Sequence, residues 1–409
     1  GCTLEAAEDV CEADLDVLQS LVDKSLVRVR EGERFWMLET VREYAAEHLE
    51  SSGEAEELRS RHAGHFLALA EEADPHLRKA ALGGGGDEWL ERLEREHDNV
   101  RAALDRLQGT GDTQVVLAMA AALAEFWYLK DHFAEGRRRL EGALASDERP
   151  TAALAKALVG AADFAAVTGD AATSRSRAEH ALALNRALAD TRGTADALWR
   201  LGGVLAESED KAAAEPLLRE SVALFSEVGD DSVLGAMRTL AHVYLQRDDR
   251  EHARPLYEEI LSRARALHNE LYEAIALGAL AMVAVEDGRV TDALSLLKQN
   301  MPIYRRLGNT FLLTENFCRT AYALAAAGDL VTSVRLIACC DAVSEEIGAS
   351  QPWVAKQNAE TLARAREQLD EARFAEAWDE GKRLTADETV DLALESLEIA
   401  ASIHVQTTK

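Results

Sequence analysis

The chain has 409 residues, a formal net charge of −28 at pH 7 and a sequence pI near 4.8, so its surface repels nucleic acid and anionic membranes. Hydrophobic residues make up 47% but aromatics only 5%; alanine carries much of the apolar content, which suits closely packed helices rather than sheets. The longest apolar runs, around Val115–Leu123 and Ile275–Val285, are too short to span a bilayer.

Five cysteines (Cys2, Cys11, Cys318, Cys339 and Cys340) show no CxxC spacing and no even framework. Reduced thiols and a cytoplasmic location are expected. No signal peptide opens the chain, and Gly1 falls abruptly inside a helical pattern, as expected of a piece cut from something longer.

Taken in order, residues Thr3–Cys11 and Leu15–Asp23 read as short amphipathic helices. The period then changes to that of a β-hairpin, with strands at Leu26–Arg30 and Arg34–Leu38 about a Glu31-Gly32-Glu33 turn. A helix from Glu39 to about Ser51 completes a winged-helix layout (residues 1–52). Modules of this layout often bind DNA, but Gly1–Glu50 holds 13 acidic and 5 basic residues, and a DNA reader should be basic. No direct nucleic-acid contact is expected.

Two long helices, Glu54–Ala73 and Glu88–Leu107, bracket Gly83-Gly84-Gly85-Gly86 in a connecting segment (53–113). That glycine run lacks the lysine and preceding strand of a phosphate-cradling loop, no GxxxxGK[ST] occurs anywhere, and the run reads as a flexible link.

From residue 114 to 348 a helix–turn–helix unit repeats six times. The breaks fall at Asp131, Gly169, Glu209, Asp248, Gly288 and Gly328, a period near 40. Five, nine and twelve residues after each break lies a small–large–small stripe, as in Ala214/Leu218/Ser221 and Ser333/Ile337/Cys340. Small residues let two helices approach while the large one fills the groove between them. An irregular bundle with accidental spacing is the bland alternative. Pro216 and Pro255 each stand seven residues after a break, and Gly193, Gly229, Asn269, Gly308 and Gly348 are expected to close second helices. Helices near Trp353–Leu369, Phe374–Leu384 and Asp387–Ala401 (within 349–409) are expected to cap the array. The fold class is therefore all-α: a right-handed tetratricopeptide-like solenoid behind a small winged helix.

The run LVDKSLVRVREGERFWMLETVREYA (Leu21–Ala45), with TLEAAEDVC before it, resembles the winged-helix end of the NB-ARC-type module in actinobacterial STAND regulators of the LuxR and AfsR-like group. LEREHDNVRAALDRL (Leu93–Leu107) and FAEAWDEGKRLTADETVDLAL (Phe374–Leu394) resemble the sensor arm of the same group. The resemblance implies an ATPase switch upstream, followed by repeats that sense a signal. It also implies a Met-His-Asp nucleotide sensor at the end of the hairpin, matched here by Met37, Leu38 and Glu39. Leucine has no donor for the β-phosphate of ADP, and Leu38 reads as plain hairpin core. ATP or ADP is expected only with the upstream module, with no cofactor in this chain.

There is no HExxH, no GxSxG and no His/Cys metal spacing, so neither catalytic nor metal-binding residues are assigned. A repeat groove lined by first helices remains, and the family geometry turns Tyr128, Asp163, Trp199, Arg238, His242, Met282 and Tyr322 inward. Each is also able to serve as helix-to-helix packing; Phe126 and Trp127 are expected in the core. Aromatic faces with an Arg and a His suit a sugar ring, a ring-bearing metabolite or a peptide. The expected function is the sensor portion of a signal-transducing regulator that binds an inducer or partner protein and acts on the parent ATPase module. A constitutive scaffold and a winged-helix DNA binder are the alternatives.

Overall fold

In the computed structural model of the chain, residues 1–30, 34–208, 211–308, 310–347 and 352–407 are described. The hairpin turn Glu31-Gly32-Glu33, the break at Glu209 and the closing Gly348 lie outside them. The chain divides into two compact units, residues 1–81 with 85–204 and residues 82–84 with 205–409.

The first unit opens with α1 (Leu4–Cys11), α2 (Leu15–Asp23), β1 (Arg28–Arg30), β2 (Arg34–Trp36) and α3 (Glu39–Ser52). Thr3 and Asp14 cap the two leading helices, each side chain accepting from a backbone N–H three residues on. The strands pair antiparallel with Val29 opposite Phe35, and Cys2 adds a bridge from the other edge, exchanging backbone hydrogen bonds of 2.9 and 2.8 Å with Phe35. Ala7, Leu18, Val27 and Phe35 form the small core.

Next come α4 (Ala55–Ala81), α5 (Asp87–Arg95) and α6 (His97–Thr110). The helix expected over Glu88–Leu107 is in fact two, because the chain breaks at Glu96. That residue is buried, and its carboxylate pairs with Arg34 and accepts from Asn99 Nδ2 at 2.6 Å, a connection to the β-hairpin that no local pattern announces. The glycine run is not a loose link either. Residues 82–84 belong to the second unit, where Asn269 Nδ2 donates to Leu82 O and Gly83, at φ 71°, lies where a Cβ would come within 2.4 Å of Leu271 Cβ.

The repeats begin with α7 (Thr113–Ala122) and α8 (Ala124–Leu129), one first helix split at Leu123, followed by α9 (Phe133–Ser146), α10 (Ala152–Val167), α11 (Ala171–Ala187) and α12 (Thr191–Ala206). Phe126 and Trp127 are fully buried, as expected of core. The second unit continues with α13 (Ala214–Val228), α14 (Val233–Gln246), α15 (Arg250–Ala266), α16 (Glu270–Glu286), α17 (Val290–Leu307), α18 (Thr310–Ala326) and α19 (Leu330–Ile347). Then follow α20 (Pro352–Gln368), α21 (Glu371–Gly381) and α22 (Ala386–Thr407), of which α22 packs back on α17, α18 and α19.

The described breaks Asp131, Gly169, Asp248, Gly288 and Gly328 all adopt left-handed backbone, with φ between 58° and 96°. A left-handed residue ends one helix and lets the next fold back on it. The small–large–small stripes are buried in all six repeats, and at the first stripe position Ser174 and Ser333 donate to carbonyls of the preceding helix, Ala162 O and Ala321 O, both at 2.8 Å. A buried hydroxyl is tolerated there because it is satisfied. Gly229 and Gly308 close α13 and α17 as expected. Asn269 instead starts α16, its side chain accepting from Tyr272 N, and the left-handed residue is His268; Gly193 lies inside α12, after the left-handed Ala189. The tetratricopeptide-like helical hairpin is thus the repeating element of both units.

Candidate functional site

In the first unit, first helices α8, α10 and α12 bring together Glu125, Asp163, Asp196 and Arg200. Arg200 Nε is 3.0 Å from Asp163 Oδ1, and Arg200 Nη2 is 3.7 Å from Asp196 Oδ1 and 3.9 Å from Glu125 Oε1. The guanidinium stacks on its neighbour Trp199, 4.2 Å from the ring centroid. Beside this set Lys156 pairs with Asp74, which Arg78 approaches at 3.5 Å.

Three carboxylates thus share one arginine in a site where the side chains are only 19 to 25% exposed. Burial pushes Asp163 up to about 7, with Arg200 opposing and Glu125 and Asp196 adding to the rise; burial likewise raises Glu125 and lowers Lys156. Asp163 therefore titrates near neutrality, a property that clusters at functional sites. Tyr128, more than a third exposed, meets Phe133 and Phe164 edge-on. The first unit thus joins Asp163 and Trp199 in one cluster and sets Tyr128 near it on an adjoining first helix.

The second unit places its four candidates differently. Arg238 is exposed on α14, and its charge opposes the rise that burial imposes on the Tyr257 and Tyr304 hydroxyls, the latter pushed up to about 12. His242 Nε2 lies 3.0 Å from Gln246 Nε2 and 3.7 Å from Glu207 Oε1. Tyr322 Oη donates to Glu286 Oε1 at 2.6 Å. Met282 does not reach a surface: it is 7% exposed and packed into the core with Leu277, Leu297 and Phe317, because α16 is apolar almost throughout and buried on several sides.

Sequence reasoning passed over Arg319. It pairs with Glu315 on α18, and its guanidinium fills the space above Gly278, where a Cβ would come within 2.9 Å of Arg319 Nη1 and 3.1 Å of Asn300 Nδ2. Beneath lies a reciprocal amide pair, Asn300 Nδ2 to Asn316 Oδ1 at 2.8 Å and Asn316 Nδ2 to Asn300 Oδ1 at 3.1 Å, both residues fully buried. A signal for both arginines was present. Arg200 and Arg319 each stand nine residues before a repeat break, and each follows an acid, Asp196 or Glu315, by one helical turn.

At the winged helix, Met37 is exposed, Leu38 is half-buried and starts α3 without a side-chain cap, and Glu39 is exposed and paired with Arg42. Two surface depressions, of about 250 and 370 Å³, lie beside Thr113 and Ser146 and beside Arg254 and Asp287; none of the groove candidates lines either one. Among the described residues one His/Glu cluster, Glu94, His97 and His132, has metal-ligand geometry, although the spacing of these residues did not suggest it. No described helix is long and apolar enough to cross a membrane.

The tetratricopeptide repeat family matches residues 232–306. Proteins of Mycobacterium tuberculosis and Mycobacterium bovis, provisionally named HTH-type transcriptional regulators, are 33% identical over 236 residues, which is 53% of this chain and 25% of theirs. The chain thus spans about a quarter of the length of the curated relatives it matches. Among solved structures, a STAND protein with a tetratricopeptide repeat sensor from Pyrococcus horikoshii superposes with a TM-score of 0.53 at 14% identity, covering 98% of this chain and 62% of that one. A Rap protein complexed with competence and sporulation factor gives 0.52 at 11% identity, covering 83% and 99%. The apo quorum sensor NprR of B. thuringiensis gives 0.50 at 12% identity, covering 79% and 92%. These likenesses establish a fold of tetratricopeptide type.

Proposed function

We propose that this chain is the sensor portion of a signal-transducing transcriptional regulator of the STAND type, and that it docks an inducer or partner protein on the first helices of its repeats. The observation that carries the reading is the Glu125–Asp163–Asp196–Arg200 set beside Trp199. A packing face has no need of three carboxylates around one guanidinium, and such a set is costly to bury unless a further cation completes it. The ligand is accordingly one that brings a positive charge beside an apolar or aromatic face, such as a peptide with a Lys, an Arg or a free amino terminus.

Support also comes from the relatives named as HTH-type regulators and from the fold neighbours, a STAND sensor, a factor-bound Rap protein and a quorum sensor. In this reading the chain is non-catalytic and cytoplasmic, nucleotide binds only to an ATPase module of the parent, and the winged helix carries the signal to that module. Coupling requires that the ligand prefer one arrangement of the parent over another.

The test is calorimetric titration of the chain with a peptide library graded in charge. Basic members should bind, and Asp163→Asn and Trp199→Ala should each weaken them by about tenfold or more, as expected when one partner of a desolvated charged contact is lost. Equal affinity for acidic and basic members, or indifference to both substitutions, would overturn the reading.

A further inference from the structure

The elbow between α5 and α6 meets the turn between α8 and α9 through an unusual set of side chains. Glu94 lies in the last turn of α5, His97 opens α6 just past the break at Glu96, and His132 immediately precedes α9. One ligand atom from each of the three lies within 4.8 Å of the others. His132 Nε2 is 3.0 Å from Glu94 Oε2, and the two imidazole rings are 4.4 Å apart between centroids.

His97 is buried, and its Nε2 makes no hydrogen bond; the nearest carboxylate oxygen, Glu135 Oε2, stands 3.3 Å away outside hydrogen-bonding geometry. Glu135 is itself held by Arg101, with Arg101 Nη2 at 2.5 Å. His97 thus carries a buried ring nitrogen without a hydrogen-bond partner, on an imidazole set against a second imidazole and the Glu94 carboxylate.

We propose that Glu94, His97 and His132 form a site for one first-row transition-metal ion of the zinc class. Two imidazoles and one carboxylate are a donor set that zinc takes in three-ligand sites, with the fourth position left to water. Bond lengths of about 2.0–2.2 Å in a tetrahedron separate ligand atoms by about 3.4 Å, so the observed spacings close on an ion with side-chain adjustments alone. Such an ion would clasp the connecting helices to the first repeat, because its ligands come from α5, from α6 and from the turn before α9.

The spacing hid this site: Glu94 and His97 are close in sequence but sit on different helices, and His132 arrives only through the turn before α9.

The test is titration of the chelator-treated chain with Co2+ and Zn2+. One equivalent of Co2+ should give the visible absorption of a four-coordinate ion without a near-ultraviolet thiolate band, and Zn2+ should raise the melting temperature. His132→Ala and Glu94→Gln should each weaken binding at least about tenfold. Gln keeps the size of Glu, so the metal-free melting temperature of Glu94→Gln should stay near the parent's and certify the fold; His132→Ala also loses ring contacts with His97 and Phe126 and is read by its loss of binding. Absence of stoichiometric binding, a thiolate band from the cysteines, or undiminished affinity in Glu94→Gln would each overturn the proposal.

Discussion

Replacing Arg200 with methionine tests whether the acidic cluster is held by charge or merely by shape. The substitution keeps an unbranched side chain on Trp199 but leaves Asp163, Asp196 and Glu125 around an empty cationic position. Removing one partner of a buried ion pair costs about 3–5 kcal/mol, and the loss should be near the top of that range at pH 8, where the carboxylates are ionised. At pH 5 the outcome should differ. Asp163, already pushed up to about 7, is then neutral in the folded parent, and raised Glu125 follows in the same direction. Neutral acids need no counter-charge, so the cost of Arg200→Met should fall by at least half. Urea unfolding of both proteins at pH 8 and pH 5 measures the difference directly. A penalty equal at the two values would show that Arg200 acts through packing, and the electrostatic account of the site would fail.

Other outcomes follow from the same structure. Asp163 has a folded-state pKa above its unfolded value and prefers to be protonated when folded, so its contribution is present below about pH 4 and is lost as pH rises to about 7. Asp163→Asn should flatten that decline and raise stability at pH 8 by no more than about 4 kcal/mol, read by thermal unfolding across the pH range. Gly278→Ala should set a methyl group against Arg319 Nη1 and Asn300 Nδ2 and, because the end of the arginine side chain is able to shift, destabilise by no more than about 1 kcal/mol in chemical denaturation. Asn300→Ala, which strands the buried Asn316 amide, should cost about 2–4 kcal/mol in chemical denaturation, more than its lost volume explains. With a thiol reagent, exposed Cys11 should react first and half-buried Cys2 next, while buried Cys318, Cys339 and Cys340 wait for unfolding.

The repeats were legible because each described break, such as Asp248 or Gly288, is left-handed and the stripes, such as Ala214/Leu218/Ser221, place small residues where helices touch. Those demands are local and recur at a fixed period. The same periodicity misled at Met282, since a helix buried on several sides has no single inward face, and α16 is apolar almost throughout. Of the residues that the repeat register turned inward, Asp163 and Trp199 meet at Arg200. Arg200, next to Trp199, was not singled out, although its turn-spaced partner Asp196 was in plain view.

What the sequence alone determined is the helical hairpin, its period near 40, its buried stripes and the leading winged helix, because these depend on backbone preference and on neighbours within one or two turns. The tertiary structure decided which charges became buried and which histidines converged. Glu96 breaks a helix because Arg34 and Asn99 draw its carboxylate inward, and His97 and His132 meet only because that break and the turn before α9 face one another. Desolvation and chelation depend on groups far apart in the chain, and their geometry exists only after the helices have packed.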